Sequence, residues 1–191
     1  MTTYPKIWFL RHGETEWNAE GRVQGQTESV LSARGVDHAK SQAALMAPIL
    51  EQNPPCFVSP LKRTRQTADI ALGGRAYHTD DRLKEVFAGD WESQLRADIF
   101  KTLPDDMSPD MPHIEFYARA PGGEGFDTFQ ARVRSFVATL TEPTVIVAHG
   151  LSGQLLRGEL CGLSRADLGK LSNRQGVVYV LENGVETILE L

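Results

Sequence analysis

Ile7-Trp8-Phe9-Leu10-Arg11-His12-Gly13 is an apolar run that ends on a histidine and a glycine, and Val145-Ile146-Val147-Ala148-His149-Gly150 repeats the arrangement late in the chain. Short apolar runs bounded by polar, glycine-bearing sequence read as buried strands. Each run delivers an imidazole to the carboxyl end of its strand. In open α/β sheets that edge is where ligands bind.

Outward from these runs, a first strand is expected over residues 6–11, followed by a polar loop from Gly13 through Glu28 that carries Gly21 and Gly25. Ser32 to Gln52 has helical spacing on Val36, Ala39, Ala43, Met46 and Leu50, with Ser32 as N-cap. Cys56-Phe57-Val58 reads as a short buried strand. Ser59-Pro60 then opens a helix, serine at the N-cap and proline in the first helical position, which runs to about Leu72 and stops at Gly73-Gly74. Another short strand is expected within residues 76–79.

Regularity fails from about residue 87 to 125, where Pro104, Pro109, Pro112 and Pro121 alternate with Asp98, Asp105, Asp106 and Asp110. An irregular stretch of that length reads as a small functional cap or as a partly disordered segment. A helix over about residues 127–140, a strand at 144–148 and a helix over about 151–160 follow. Val177–Leu181, an Asn183-Gly184 type I′ turn and Val185–Leu189 close the chain as a hairpin. The fold class is α/β: a three-layer α/β/α sandwich around a mostly parallel mixed sheet, with one domain spanning residues 1–191 and no internal repeat.

Composition excludes several classes. Charged residues make up 24%, apolar residues 41%, and the net charge is −5, so no basic surface for nucleic acid or anionic membrane is expected. Ile7–Leu10 is too short for a signal peptide or a membrane span. Cys56 and Cys161 lie in apolar segments without CxxC spacing, which points to reduced thiols in a cytoplasmic protein. The five histidines, at 12, 38, 78, 113 and 149, form no HxxxH or zinc-ligand spacing, and no Walker-type loop is present, so neither metal nor cofactor is expected.

Two imidazoles at one sheet edge with arginines beside them suggest histidine-based phosphoryl transfer. A histidine nucleophile must be neutral, with one ring nitrogen free and the other proton held by an acceptor; a carbonyl in the Gly13 turn would fix that tautomer for His12. Cations must hold the phosphoryl group. Arg11 is adjacent, but strand neighbours face opposite ways, so it serves only if the chain bends at Gly13. Arg63 lies in the first turn of a helix at a strand's carboxyl end, where free N–H groups already favour anions. A protonated His149 would donate to the phosphoryl oxygens. Cleavage also needs a proton donor for the leaving oxygen. Glu85, with Val86 and Phe87 beside it, is suited to that task, although Asp90 and Glu92 compete with it on physics alone.

Taken in this order, the residues resemble the histidine phosphatase (phosphoglycerate mutase-like) superfamily. The resemblance rests on Leu10-Arg11-His12-Gly13-Glu14-Thr15-Glu16-Trp17-Asn18 with Arg22-Val23-Gln24-Gly25, on Ser59-Pro60-Leu61 with Arg63 and Gln66-Thr67-Ala68, on Glu85 with Gly89 and Trp91-Glu92, and on Val147-Ala148-His149-Gly150. It implies a phosphohistidine intermediate on His12, with Glu85 as proton donor and later base. It assigns His149, Arg11 and Arg63 to the phosphate pocket, adds Asn18, Gln24 and Gly25 as substrate contacts, and implies no metal. The chain departs from the family pattern at Ser93, where glycine is usual, at Thr64, where alanine is frequent, and at Gly125, where serine is typical.

Family mutases look longer, with an inserted lid, so a short phosphatase acting on a small phosphomonoester is expected. A phosphoglycerate-type mutase and a non-catalytic phospholigand-binding domain are the alternatives. Asp98, Asp105, Asp106, Asp110 and Glu115 against Lys101 disfavour polyphosphorylated substrates unless those carboxylates face solvent. Met107, Met111, Phe116 and Tyr117 offer either an apolar wall to an organic leaving group or core packing.

Overall fold

The computed structural model describes residues 4–191, and in it the first apolar run is strand β1 (Ile7–Arg11), with Ile7, Trp8, Phe9 and Leu10 all buried. The short helix α1 (Glu16–Glu20) and the long helix α2 (Ala33–Leu50) follow. Next come β2 (Cys56–Val58), α3 (Lys62–Ala71) and β3 (His78–Thr79). The cap holds α4 (Arg96–Ile99) and α5 (His113–Tyr117), and α6 (Gly125–Val137) leads out of it. The chain then forms β4 (Thr144–Ala148), α7 (Gly150–Cys161), α8 (Arg165–Leu168) and the hairpin β5 (Val178–Glu182) and β6 (Val185–Leu189).

The strands form one six-stranded sheet in the order β3-β2-β4-β1-β5-β6. β3, β2, β4 and β1 are mutually parallel, and β5 pairs antiparallel with β1 and with β6, so the sheet is mixed as expected. Side chains alternate across it. Ile7, Phe9, Ile146 and Ala148 pack on one face with Phe129, Val133 and Phe136 of α6 and Leu155 of α7. Trp8, Leu10, Val145 and Val147 pack on the other with Met46 and Ile49 of α2 and Ala68 of α3. These are the two interfaces of a three-layer sandwich. Asn183 (φ 53°) and Gly184 (φ 77°) both adopt the left-handed conformation that a type I′ turn requires.

Three local readings are corrected. The polar stretch after Gly13 contains α1, whose N-cap Thr15 accepts a hydrogen bond from Asn18 N (3.0 Å) while Asn18 Oδ1 accepts from Thr15 N (3.2 Å). Asparagine does here what glutamate usually does in a capping box. Ser59-Pro60 does not start α3: its N-cap is Leu61, and the Ser59 hydroxyl is committed elsewhere. The irregular region is ordered, with Val23, Ala88, Trp91, Ile99, Phe116 and Ala120 forming a small core of their own. Met107 and Met111 pack against that core, as one of the two readings held.

The sheet geometry brings the two histidines together. In the β1–β4 pairing Arg11 lies opposite Ala148, and His12 N donates to Ala148 O (3.0 Å), so His12 and His149 emerge from adjacent strands. The turn after β1 runs backbone to backbone against α2, where a Cβ on Gly35 would sit 1.8 Å from Glu14 O. Gly35→Ala is therefore expected to lower stability by about 1–3 kcal/mol through overpacking, read as a fall in the urea midpoint, and to reduce activity because the displaced turn carries His12.

Candidate active site

His12 Nδ1 lies 2.7 Å from Gly13 O. A carbonyl only accepts, so Nδ1 carries the proton and Nε2 keeps its lone pair. Nε2 has no hydrogen-bond partner among the described residues, and His12 lines a cavity of about 160 Å³. Burial, then Arg63 and Arg11, hold His12 well below the ordinary histidine value, so the ring is neutral.

Arg11 lines the same cavity, its guanidinium donating to Asn173 O. Burial lowers its pKa, and its Nε is buried without an acceptor. Arg63, in the first turn of α3, is 1% exposed. It donates to Gly25 O (2.7 Å), Thr27 O (2.9 Å) and His149 Nδ1 (3.2 Å). Burial brings it down to about 10, so it stays charged at neutral pH.

His149 differs from expectation in charge. It is fully buried at the N-cap of α7 behind His12, with ring centroids 5.2 Å apart. Arg63 only donates, so His149 Nδ1 accepts, and Nε2 carries the proton toward Ser59 Oγ at 2.7 Å. Burial and Arg63 hold it well below the usual value. It is neutral, and both nitrogens are engaged within the protein.

Among the three candidate acids only Glu85 lines the cavity. Its carboxylate accepts from Leu151 N (3.0 Å), Ser152 N (2.9 Å) and Val86 N (3.0 Å), so amides of the α7 N-terminus hold it where an apolar sleeve was expected. Arg132 of α6 fixes the backbone beneath it by donating to Lys84 O (2.8 Å) and Glu85 O (3.2 Å). Glu92 has another task. It accepts from Gln26 N (2.7 Å), Thr27 Oγ1 (2.6 Å) and Ala88 N (3.1 Å), bracing the loop whose carbonyls hold Arg63. Gly25 (φ 52°) packs so closely on Glu92 that a Cβ there would meet Oε1 at 1.9 Å. Ser93 holds φ 72°, which accounts for the glycine usual at that position in the family pattern.

Asn18, Gln24 and Gly25 all line the cavity. Asn18 Oδ1 is committed to Thr15 N and Gln24 Oε1 to the Thr15 hydroxyl (2.9 Å), leaving their amide NH₂ groups as donors. Of the far wall only Tyr117 was foreseen, as one of four residues offered as a wall to a leaving group; Met107, Met111 and Phe116 belong to the cap's core. That wall comprises Arg96, His113 and Tyr117 from the cap, with Asn173 from the segment before β5. Arg96 and His113 had no sequence signal beyond lying in the irregular region, and Asn173 had none. The cap acids face outward: Asp98 pairs with Lys101 (2.7 Å), Asp106 with Arg119 (2.9 Å) and Glu115 with Arg165 (2.6 Å). The segment bearing Asn173 is tied down from below. Gln175 Nε2 donates to His12 O (3.0 Å), and buried Arg157 donates to Ser172 O (2.6 Å) while pairing with Glu186 of β6 (2.9 Å).

The profile of the histidine phosphatase superfamily (branch 1) matches residues 7–187 of this chain. The chain belongs to that superfamily. It is a phosphatase by the relatives it matches. It is 31% identical to the adenosylcobalamin/alpha-ribazole phosphatase of Escherichia coli over 168 residues, 83% of this chain and 80% of that protein. It is 32% identical to phosphoserine phosphatase 1 of Hydrogenobacter thermophilus over 177 residues, 86% of this chain and 79% of the relative. The crystal structure of the alpha-ribazole phosphatase from Shigella flexneri superposes with a TM-score of 0.75 at 26% identity, covering 97% and 95% of the two chains.

Two imidazoles held neutral by burial make stability pH-dependent. Their native values lie well below the unfolded value of about 6.5, so the unfolded chain binds more protons as pH falls through that point. Stability is full above about pH 6.5 and declines below it, by up to about 1.4 kcal/mol per pH unit for each ring. Thermal melts from pH 8 to 5 are expected to show this acid limb, and His12→Gln is expected to flatten it.

Proposed function

We propose that this phosphatase hydrolyses a small phosphomonoester through a phosphohistidine on His12, without a metal ion. The observation that carries the reading is the 2.7 Å contact from His12 Nδ1 to Gly13 O, which leaves a basic Nε2 at a cavity flanked by Arg11 and Arg63. In the first step the Nε2 lone pair attacks phosphorus, the bond to the leaving oxygen breaks, and Glu85 gives that oxygen a proton. In the second, Glu85 takes a proton from water as the water oxygen attacks phosphorus. The P–N bond breaks, and phosphate leaves with His12 neutral again. Arg11 and Arg63 supply the positive charge that such a transfer requires on the phosphoryl oxygens. Neutral His149 acts as a positioning residue: it accepts from Arg63 and is fixed by Ser59. Asn18 and Gln24 offer amide donors to the phosphate side.

Hydrolysis is favoured over transfer to a second substrate because the helical segments of the cap are all short, five residues at most. Two free cysteines suit a reducing, cytoplasmic setting. Among the described residues no helix is long and apolar enough to cross a membrane.

Turnover of para-nitrophenyl phosphate in excess chelator is expected for the wild type and is expected to fall at least about 1,000-fold in His12→Ala. Residual activity near wild type would remove His12 as nucleophile. Glu85→Gln is expected to slow alkyl phosphates by about 100- to 10,000-fold and aryl phosphates far less, because a basic leaving oxygen depends most on protonation. Equal slowing across a leaving-group series would move the acid elsewhere.

A further inference from the structure

The cavity has two ends, and the phosphoryl chemistry uses one. At the other, Arg96 opens α4 and is tied to the phosphate-side loop. Arg96 N donates to Gly21 O (3.0 Å), Val23 N to Gln94 O (2.9 Å), and Ser93 N to Val23 O (2.9 Å). This short ladder places the guanidinium beside the loop that carries Gln24 and Gly25. Arg96 forms no ion pair among the described residues, and its Nε is buried without an acceptor. Arg22, which also lines the cavity, is by contrast paired with Glu20 (2.9 Å) and donates to Ser93 O (2.6 Å).

Two neutral donors stand next to Arg96. Its Nη2 lies 3.1 Å from His113 Nε2. A guanidinium only donates, so Nε2 accepts and His113 carries its proton on Nδ1. Burial, then Arg96, hold that ring below the ordinary histidine value, in keeping with a neutral imidazole. Tyr117 brings a phenol whose pKa burial raises, so it too is a neutral donor. The far wall thus presents one fixed positive charge and neutral N–H and O–H groups. The cap's own carboxylates turn to solvent.

We propose that Arg96, His113 and Tyr117 form a carboxylate subsite, so that the substrates are phosphomonoesters whose leaving group is itself an acid. This rests on the phosphatase reading of the same cavity and names its substrate class. Charge matching selects a carboxylate over a second phosphate. One guanidinium balances one negative charge, whereas a dianion needs the two cations that Arg11 and Arg63 supply at the other end. A neutral sugar or nucleoside leaving group offers that guanidinium, which beyond His113 has only the Phe100 ring (5.4 Å) and solvent, no counterion.

The test compares substrates that share a leaving-group skeleton and differ in the carboxylate: 2-phosphoglycolate against ethyl phosphate, and 3-phosphoglycerate against glycerol 3-phosphate. For the wild type kcat/KM is expected to favour the acid by about 10- to 100-fold in at least one pair, the effect of a charge-assisted hydrogen bond. The same preference is expected in calorimetric binding of each pair to His12→Ala, which needs no turnover. In Arg96→Gln the ratio is expected to fall toward one. A wild-type ratio near one in both pairs overturns the subsite, as does a preference that survives in Arg96→Gln. If the wild type turns over none of the four nor para-nitrophenyl phosphate, the phosphatase reading fails, and the binding ratio alone then decides the subsite.

Discussion

Removing the Arg63 guanidinium from water costs several kcal/mol unless its donors all find acceptors, and at 1% exposure it has almost no water to call on. Gly25 O, Thr27 O and His149 Nδ1 take one N–H from each of its three nitrogens, and the two that remain of its five are left to be met at the cavity. Each acceptor then needs support of its own. Glu92 pins the loop that presents the two carbonyls, and Ser59 takes the proton of the imidazole that accepts from Arg63. Three segments distant in sequence are located by one buried ion. The same ion lowers the proton affinity of both histidines.

That coupling gives the two imidazoles unequal parts. Both are neutral for the same reasons, burial first and Arg63 second. They differ in what their nitrogens touch. His12 spends one nitrogen on its own turn and leaves the other at the cavity, whereas His149 spends both on the protein. A pair that looks symmetric in the sequence divides into a group poised to react and a group that holds a cation in place.

Much of this was legible beforehand because it depends on local chemistry. The apolar runs at Ile7 and Val145 announce buried strands wherever they pack, and a carbonyl in the Gly13 turn is the nearest acceptor for His12 Nδ1. The misreadings share another cause. Ser59-Pro60 has the chemistry of a helix start, but its hydroxyl is claimed by a histidine ninety residues later in the chain. Glu85, Asp90 and Glu92 are equivalent carboxylates on paper, and they separate only when α7 brings its amides to the first and the loop at 25–27 reaches the last. Arg96 and His113 carried no motif in the sequence. Arg96 reaches the cavity through backbone pairing between residues 93–96 and 21–23, and His113 by its contact with Arg96, neither of which a local pattern encodes.

Arg157 lies with its guanidinium 4.1 Å from the Tyr179 ring centre, between α7 and the closing hairpin. Through Ser172 O it holds the segment whose Asn173 and Gln175 reach Arg11 and His12, and its counterion is Glu186 on the last strand. The reactive end of the first strand is thus braced by residues 162 and 163 positions further along the chain. In the order of synthesis, the nucleophile is made early and its final support late. Contacts of that sequence separation carry a large loop-closure cost. The complete pocket accordingly belongs to the finished fold, and a nascent chain that already holds both histidines still lacks the scaffold that aligns them.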